Sequence, residues 1–224
     1  VDVPNSAQKS VQRQWLGLEL REPWTVGART YPAGAYLVTD FDAFMAGERK
    51  FDVLFEPTAT TSLAGATLTR NHVVLNVFDD VKNRISVLTH GADGWTSQPL
   101  KVGDGGIGTT SVGAVDADEN DLLWVTTTSY LSPTTLLLAD AAQPDATAQP
   151  LKSMPEFFDA SRHVVEQHFA TSKDGTRVPY FLVRPKDLAL DGSTPTLLYG
   201  YGGFEIPMVP GYSGGMGRSW LDKG

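Results

Sequence analysis

Residues 197–204 read LLYGYGGF, an apolar run that ends in a turn of alternating glycines and aromatics. The run predicts a buried strand over residues 196–199, which brings the chain to the edge of a sheet. Gly202 and Gly203 lack a Cβ atom, so the backbone can turn sharply after that strand. Because ligand sites form beyond the carboxyl ends of strands in open α/β sheets, we expect this turn to lie at a site.

Tyr201 is the candidate catalytic residue within this turn. Its phenolic hydroxyl can donate a hydrogen bond to negative charge that develops on a reacting oxygen atom. The chemistry of the residues leaves a plainer alternative open, in which Tyr201 only packs against its neighbour Phe204.

The composition is that of a globular protein with a sizeable core. The 224 residues are 41% hydrophobic and 20% charged, and the net charge is −8. An acidic chain disfavours nucleic acid and anionic membranes as partners, because both bind basic patches. The chain has no cysteine, which excludes disulfides, thiolate metal sites and a cysteine nucleophile. We expect neither a metal nor another cofactor.

Both ends of the sequence look like the middle of a longer protein. The chain begins with Val1 instead of Met, and neither a signal peptide nor a run of about 18 apolar residues is visible. We therefore expect a fragment that is cut at both ends. The bacterial cytoplasm and periplasm both tolerate a chain without cysteine, and of the two we favour the cytoplasm.

Short strands and turns predominate from residue 1 to about residue 155. The predicted strands are rich in Val, Leu, Ile, Thr and Phe, and Asp, Asn and Gly turns separate them. They lie at residues 35–39, 52–55, 72–78, 84–88, 111–115, 122–127 and 135–139. No segment predicts a long helix, although residues 40–47 can form one short helical turn.

A weak repeat runs through this β-rich part. Strand–turn–strand units recur at residues 36–55, 72–88 and 111–139, an interval of roughly forty residues, which is typical of a four-stranded propeller blade. About three blades fit, and these are too few to close a ring. Because residue identity within the repeat is weak, a β-sandwich stays open as an alternative.

A second unit is predicted to begin near residue 165. Strands at residues 165–171 and 177–184 are joined by SKDGT at residues 172–176, whose Asp-Gly pair predicts a hairpin. Two antiparallel strands followed by the apolar run at 196–199 are similar to the start of an α/β-hydrolase sheet. Residues 213–221 can begin a helix.

The stretch GYSGG at residues 211–215 matches the G-x-S-x-G pattern of a hydrolase nucleophile, with Ser213 at its centre. That motif requires a buried strand directly before the serine. Pro207 and Pro210 precede it instead, and proline is excluded from central strands. We therefore interpret the stretch as a glycine-rich loop and not as a nucleophile elbow.

Two further motifs match only in part. GDGGIG at residues 103–108 fits the dinucleotide-binding pattern, but the sequence after it predicts a strand where a helix is required. DADEN at residues 116–120 resembles the start of a calcium loop, but Asp121 and Thr127 stand where glycine and glutamate are needed. The histidines show no metal-ligand spacing; they are His72, His90, His163 and His168.

The hexapeptide YGYGGF at residues 199–204 resembles a signature of the prolyl oligopeptidase family. SKDGT at residues 172–176 is similar to the segment at which chains of that family re-enter their peptidase domain. Three shorter segments agree with the family as well: residues 129–133, Pro179 and residues 190–193. The resemblance is specific over residues 124–213 and only architectural over residues 1–120.

The resemblance implies a seven-bladed β-propeller inserted in an α/β-hydrolase domain. In that arrangement, residues 1–160 are the last blades of the propeller and residues 161–224 are the truncated start of the returning peptidase domain. The chain would then be mainly β, with about three blades followed by the first hydrolase strands. The propeller of this family covers the active site and admits short peptides.

The resemblance also implies a serine endopeptidase that cleaves short peptides on the carboxyl side of proline. All three residues of its Ser-Asp-His triad would lie beyond this sequence, so we expect the chain alone to be inactive. Tyr201 matches the tyrosine whose hydroxyl forms half of the oxyanion hole, and Phe204 matches an aromatic residue near the substrate subsites. Ser213 falls where the family has a non-catalytic serine.

The hexapeptide favours the proline-specific branch over the related oligopeptidases that cleave after basic residues. The expected partners are short proline-containing peptides and the missing remainder of the same chain, and we expect the parent enzyme to be a monomer. The alternative from a different functional class is a β-rich binding module without hydrolytic chemistry.

Overall fold

The structure is a computed structural model, and it describes residues 2–103 and 106–224. Within those ranges the chain is mainly β, with sixteen strands and two short α-helices. None of the helices in the described part has the length and the apolar character that crossing a membrane needs.

The first sheet is an antiparallel sheet of four strands. In order across the sheet they are β1 (Gln8–Gln12), β2 (Trp15–Glu19), β5 (Tyr36–Asp40) and β6 (Asp52–Phe55). A separate hairpin of β3 (Trp24–Val26) and β4 (Arg29–Tyr31) lies between β2 and β5 in the sequence. The helix α1 (Phe41–Met45) follows β5 and confirms the helical turn predicted over residues 40–47.

The second and third sheets also have four strands each. The second runs β7 (Thr61–Leu68), β8 (His72–Asp79), β9 (Lys82–Gly91) and β10 (Gly94–Pro99). The third runs β11 (Thr109–Ala114), β12 (Leu122–Thr128), β13 (Thr135–Asp140) and β14 (Gln149–Ser153). In both sheets the neighbours in space are neighbours in sequence, which is the strand order of a propeller blade.

The central strand β5 buries both of its faces. Leu37 packs into the core of the first sheet, in a cluster that includes Leu18 and Phe44. Val38 points the other way and packs with Val73 of the second sheet. Successive side chains of a strand alternate between its faces, so the continuous apolar run of β5 serves two cores.

The strands predicted before residue 190 are all present, with small shifts at their ends. Seven strands were missed, namely β1, β2, β3, β4, β7, β10 and β14. All of these except β2 lie at sheet edges, since β3 and β4 pair only with each other. All five residues of β14 are exposed, and the exposed face of an edge strand carries no apolar pattern to detect.

The hairpin predicted around SKDGT is confirmed. The strands β15 (His163–Thr171) and β16 (Arg177–Pro185) pair in antiparallel register along their whole length. Gly175 at the tip has φ +89°, a left-handed conformation that glycine adopts without a steric cost. The Asp174 carboxylate accepts a hydrogen bond from the Thr176 N–H at 3.0 Å and closes the turn.

The buried strand predicted over residues 196–199 is wrong for this structure. No strand is formed there among the described residues, and Leu198 is 94% exposed. Tyr199 is also largely exposed, at 73%. A buried strand needs hydrogen-bonded neighbours, and the nearby β15–β16 sheet has two strands that pair only with each other.

The chain divides into two compact units. The first comprises the chain up to Val102 together with Val112–Trp124 and Leu138–Ala148. The second comprises Gly103–Ser111, Val125–Leu137 and Gln149–Gly224, and so contains the glycine-rich turn. The domain boundary expected near residue 160 stays a prediction.

Candidate functional site

The glycine-rich turn holds Tyr201 against its own backbone. The Tyr201 side chain is half exposed, at 51%, and its ring folds over Gly203. A Cβ atom on Gly203 would lie 2.7 Å from the Tyr201 Oη atom and 2.9 Å from Cζ. Real side chains do not approach that closely, so only glycine at position 203 leaves room for the hydroxyl in this place.

Phe204 combines backbone strain with exposure. Its backbone has φ +58° and ψ +28°, the left-handed conformation that costs a residue with a side chain about 1 kcal/mol or more. Its ring is 91% exposed, so no packing in the described structure compensates for that cost. Strained residues of this kind are concentrated at ligand-binding and catalytic sites, which makes Phe204 a candidate contact for a ligand.

Ser213 lies at the start of a helix. Its Oγ atom accepts a hydrogen bond from the Met216 N–H at 3.3 Å and caps α2 (Gly214–Ser219). The residues before it, 207–212, are not in a strand. The surroundings are therefore those of a helix cap, and they lack the strand that a nucleophile elbow requires.

Asp121 has a structural role in the stretch that resembles a calcium loop. It accepts hydrogen bonds from Thr69 Oγ1, the Asn71 N–H and Asn71 Nδ2, each at 2.7 Å. Partial burial raises the pKa of this carboxyl group, but the hydrogen bonds from Thr69 and Asn71 outweigh it, so the pKa is lowered overall. The group faces an open cleft of about 450 Å³ that Arg70 and Glu119 also line.

The other candidate motifs contribute nothing further to this site. Asp104 and Gly105 of the GDGGIG stretch lie outside the described residues, and the strand β11 begins soon after them at Thr109. In residues 2–103 and 106–224, no three His, Asp or Glu side chains are grouped so that they could hold a metal ion.

The four histidines do not gather at the turn. His72 contacts a threonine hydroxyl, and His90 lies between two indole rings. His163 is buried against a phenyl ring, and His168 is close to a glutamate. None of these contacts is with the glycine-rich turn.

Tyr212 is a residue of this region that was not predicted from the sequence. Its ring is stacked on the rings of Phe157 and Phe158, with centroid distances of 6.2 and 5.9 Å. The one available signal was the adjacent pair of phenylalanines in an otherwise polar stretch, since neighbouring aromatics outside a strand need a packing partner.

Comparison with known proteins relates the chain to peptidases, although no protein-family model matches it. An uncharacterized peptidase of Sinorhizobium fredii is 41% identical over 208 residues, which are 92% of this chain and 28% of the relative. A prolyl endopeptidase of Elizabethkingia miricola is 34% identical over 104 residues, which are 46% of this chain and 14% of the relative.

The solved structures that are similar to this chain are also peptidases. A post-proline cleaving enzyme from Rickettsia typhi has a TM-score of 0.82 and 25% identity, covering 99% of this chain and 32% of that one. A prolyl endopeptidase structure has a TM-score of 0.78 and 23% identity, covering 97% of this chain and 30% of that one, and shows the fold alone. The chain thus spans less than a third of the length of the proteins it matches.

Proposed function

Since this chain belongs to the prolyl oligopeptidase family, we propose that it is part of a longer serine peptidase that cleaves short peptides after proline. Its relatives are peptidases, and the fold matches the propeller of that family, which sets the β-sandwich aside. The peptidase relatives also count against the binding module without hydrolytic chemistry.

The observation that carries the proposal is the exposed turn with Tyr201 and Phe204. A half-exposed tyrosine lies next to an exposed aromatic residue whose backbone is strained. Neither feature stabilises the described structure, and both suit contact with a ligand. Because the relatives are peptidases, we propose that these two side chains contact a peptide substrate.

Tyr201 is proposed to act as an oxyanion donor. When the nucleophilic serine attacks the carbonyl carbon of the proline residue, negative charge develops on the carbonyl oxygen. The Tyr201 hydroxyl would donate a hydrogen bond to that oxygen, beside the backbone N–H that follows the serine. Phe204 would offer its ring to apolar side chains of the peptide close to the cleavage point.

The rest of the active site is proposed to lie outside this chain. The three four-stranded sheets would be blades of a seven-bladed ring, and the β15–β16 hairpin would begin the α/β-hydrolase domain. Strands from the remainder of that domain would flank residues 196–199 and cover Leu198, which is 94% exposed. The triad would lie there as well, and the complete enzyme would be a monomer.

The proposal is tested by the specificity of the purified full-length protein. We expect a blocked Gly-Pro chromogenic peptide to be hydrolysed at least tenfold faster, in kcat/KM, than matched Gly-Ala and Gly-Arg peptides, about 1.4 kcal/mol of discrimination. An inhibitor that acylates serine should abolish all three rates. Preference for Gly-Arg would contradict the proline specificity, and turnover that resists the inhibitor would contradict the serine mechanism.

A further inference from the structure

We infer that Tyr212 is a positioning residue, which fixes the segment after the glycine-rich turn and thereby the place of Tyr201. The inference rests on the proposed function of Tyr201. Tyr212 contacts the Phe157–Phe158 pair and, through its backbone N–H, the end of β12, and all of these residues belong to the second compact unit.

Every part of the Tyr212 side chain is engaged. Its ring is nearly parallel to the rings of Phe157 and Phe158, at 21° and 15°. Its hydroxyl oxygen accepts a hydrogen bond from the Phe157 N–H at 2.8 Å. An aromatic side chain with its polar end satisfied is held in one orientation, so the residue is a rigid anchor for its own backbone.

The backbone beside Tyr212 is fixed as well. The Tyr212 N–H donates to Thr128 Oγ1 at 3.0 Å, at the end of β12. Two residues earlier, the carbonyl oxygen of the fully buried Pro210 accepts from Thr109 Oγ1 at 2.6 Å, at the start of β11. The two hydrogen bonds join neighbouring points of the segment to two different strands, so it can neither slide nor rotate freely.

The start of α2 is fitted to the same two phenylalanines. A Cβ atom on Gly214 would overlap the ring of Phe157, and one on Gly217 would overlap the ring of Phe158. Gly214 and Gly217 therefore serve close packing, whereas a Cβ atom on Gly215 would meet nothing within 4 Å. Together with Tyr212 they form what we call the aromatic clamp, consisting of Phe157, Phe158, Tyr212, Gly214 and Gly217.

The turn itself has little support of its own. Between Phe204 and Pro210 the backbone makes one hydrogen bond among those described, from the Ile206 N–H to the Gly203 oxygen at 3.2 Å. Ile206 is 53% exposed and Met208 is 40% exposed. The aromatic clamp is thus the first firmly held point that follows Tyr201 along the chain.

Substitutions that weaken the aromatic clamp should lower kcat more than they raise KM. An oxyanion donor contributes mainly in the transition state, and a displacement of about 1 Å in a catalytic group can cost about a hundredfold in rate. Removing the Tyr212 hydroxyl frees one hydrogen bond of the clamp, whereas removing the ring frees the stacking as well. The loss of kcat should therefore grow from Tyr212→Phe to Tyr212→Ala.

The first test uses the full-length protein with the blocked Gly-Pro substrate and rates normalised by active-site titration. We expect kcat to fall about threefold to tenfold in Tyr212→Phe and about thirtyfold to a hundredfold in Tyr212→Ala, with KM changed less than about threefold. Tyr180→Ala, which removes a half-exposed tyrosine from β16, is the matched control and should keep the wild-type kcat.

The decisive variant combines the two tyrosines. If Tyr212 acts through Tyr201, then Tyr212→Phe should cost no further rate in the Tyr201→Phe background, because the displaced hydroxyl is already absent. Additive losses would overturn the inference and indicate a general structural role. If Tyr201→Phe keeps full activity, the proposed role of Tyr201 fails, and the positioning of Tyr201 falls with it.

A measurement independent of activity separates the two failures. Hydrogen exchange in peptides that cover residues 196–209 should be faster in Tyr212→Phe and in Tyr212→Ala than in the wild type, with the β15–β16 hairpin unchanged. Unchanged exchange in both variants would overturn the inference that Tyr212 fixes this segment. That outcome does not depend on which substrate the full-length protein hydrolyses. Should Tyr212→Ala fail to fold, Tyr212→Phe carries both tests.

Discussion

Tyr201 and Gly203 act as a pair at the scale of single residues. The tyrosine ring occupies the space where any side chain at position 203 would begin. The glycine therefore sets where the hydroxyl lies. In the proposed chemistry, this hydroxyl donates a hydrogen bond to the oxyanion of the substrate. Each member of the pair makes a separate prediction.

Tyr201→Phe removes one oxygen atom and keeps the ring. In the full-length protein we expect kcat on the Gly-Pro substrate to fall roughly a hundredfold to a thousandfold, the usual scale for one oxyanion donor, with KM little changed. Steady-state kinetics measure both. A loss below about threefold is far under that scale and would refute the role.

Gly203→Ala places a methyl group where the Tyr201 hydroxyl lies, so the ring must swing away. We expect kcat to fall about as far as in Tyr201→Phe, because the donor is displaced instead of removed. Gly200→Ala is the matched control, since a Cβ atom there meets nothing within 4 Å. Equal kinetics for the two alanine variants would show that the approach to Gly203 does not position the hydroxyl.

At the scale of elements, whether a strand could be predicted depended on an unbroken apolar pattern in its sequence. Central strands such as β8 carry a run of buried apolar residues, and that run is visible in the sequence. The interior strand β2 was missed because Gly17 interrupts its pattern. In the structure, the side chain of Tyr36 occupies the space beside Gly17, so the glycine serves packing that the sequence does not reveal.

Asp121 lies in the turn that precedes β12, and its hydrogen bonds join that turn to the turn that precedes β8. Asp121→Asn should lower the free energy of unfolding by about 1–2 kcal/mol at pH 7, because three charge-assisted hydrogen bonds are weakened. The matched control is Asp93→Asn in the exposed turn before β10, which should change stability little. Denaturant unfolding of the full-length protein measures both.

The difference in the free energy of unfolding between the wild type and Asp121→Asn should decrease as the pH is lowered. The folded state lowers the pKa of Asp121, so its stabilisation is present above the unfolded pKa of about 3.9 and is lost as the pH falls through the folded value. The wild type and the variant should therefore converge in stability as the pH is lowered below about 4. A difference that persists unchanged at low pH would assign the effect to something other than the charge.

At the scale of the whole molecule, the proposed function gives this chain only half of a site. Residues 197–199 are exposed although they include two leucines, and the turn that follows them exposes Tyr201, the proposed oxyanion donor. Both features follow if the remaining sheet and the triad are contributed by the rest of a longer peptidase, as we propose.

The isolated chain should accordingly show no turnover of the Gly-Pro substrate, since the triad is absent from its proposed part of the enzyme. The measurement is a long incubation at high protein concentration, with Ser213→Ala as the control. Turnover that Ser213→Ala abolishes would make Ser213 the nucleophile, and both the inactivity of the fragment and the reading of Ser213 as a helix cap alone would be wrong.

Features that depend on neighbours in sequence were determined by the sequence itself. The SKDGT hairpin, the helical turn after Asp40 and the helix that begins after Ser213 each require a few adjacent residues, because the hydrogen bonds that close them span two or three positions. The glycine-rich turn and the two aromatic side chains proposed for the site belong to this class.

Only the tertiary structure decided what depends on residues far apart in the chain. The hydrogen bonds that hold Tyr212 and Pro210 join residues that are 55, 84 and 101 positions apart, and no local pattern encodes such contacts. The prediction of a buried strand over residues 196–199 was wrong for the same physical reason. An apolar run shows that a segment favours burial, but burial itself requires neighbouring strands, and none of the described strands pairs with it.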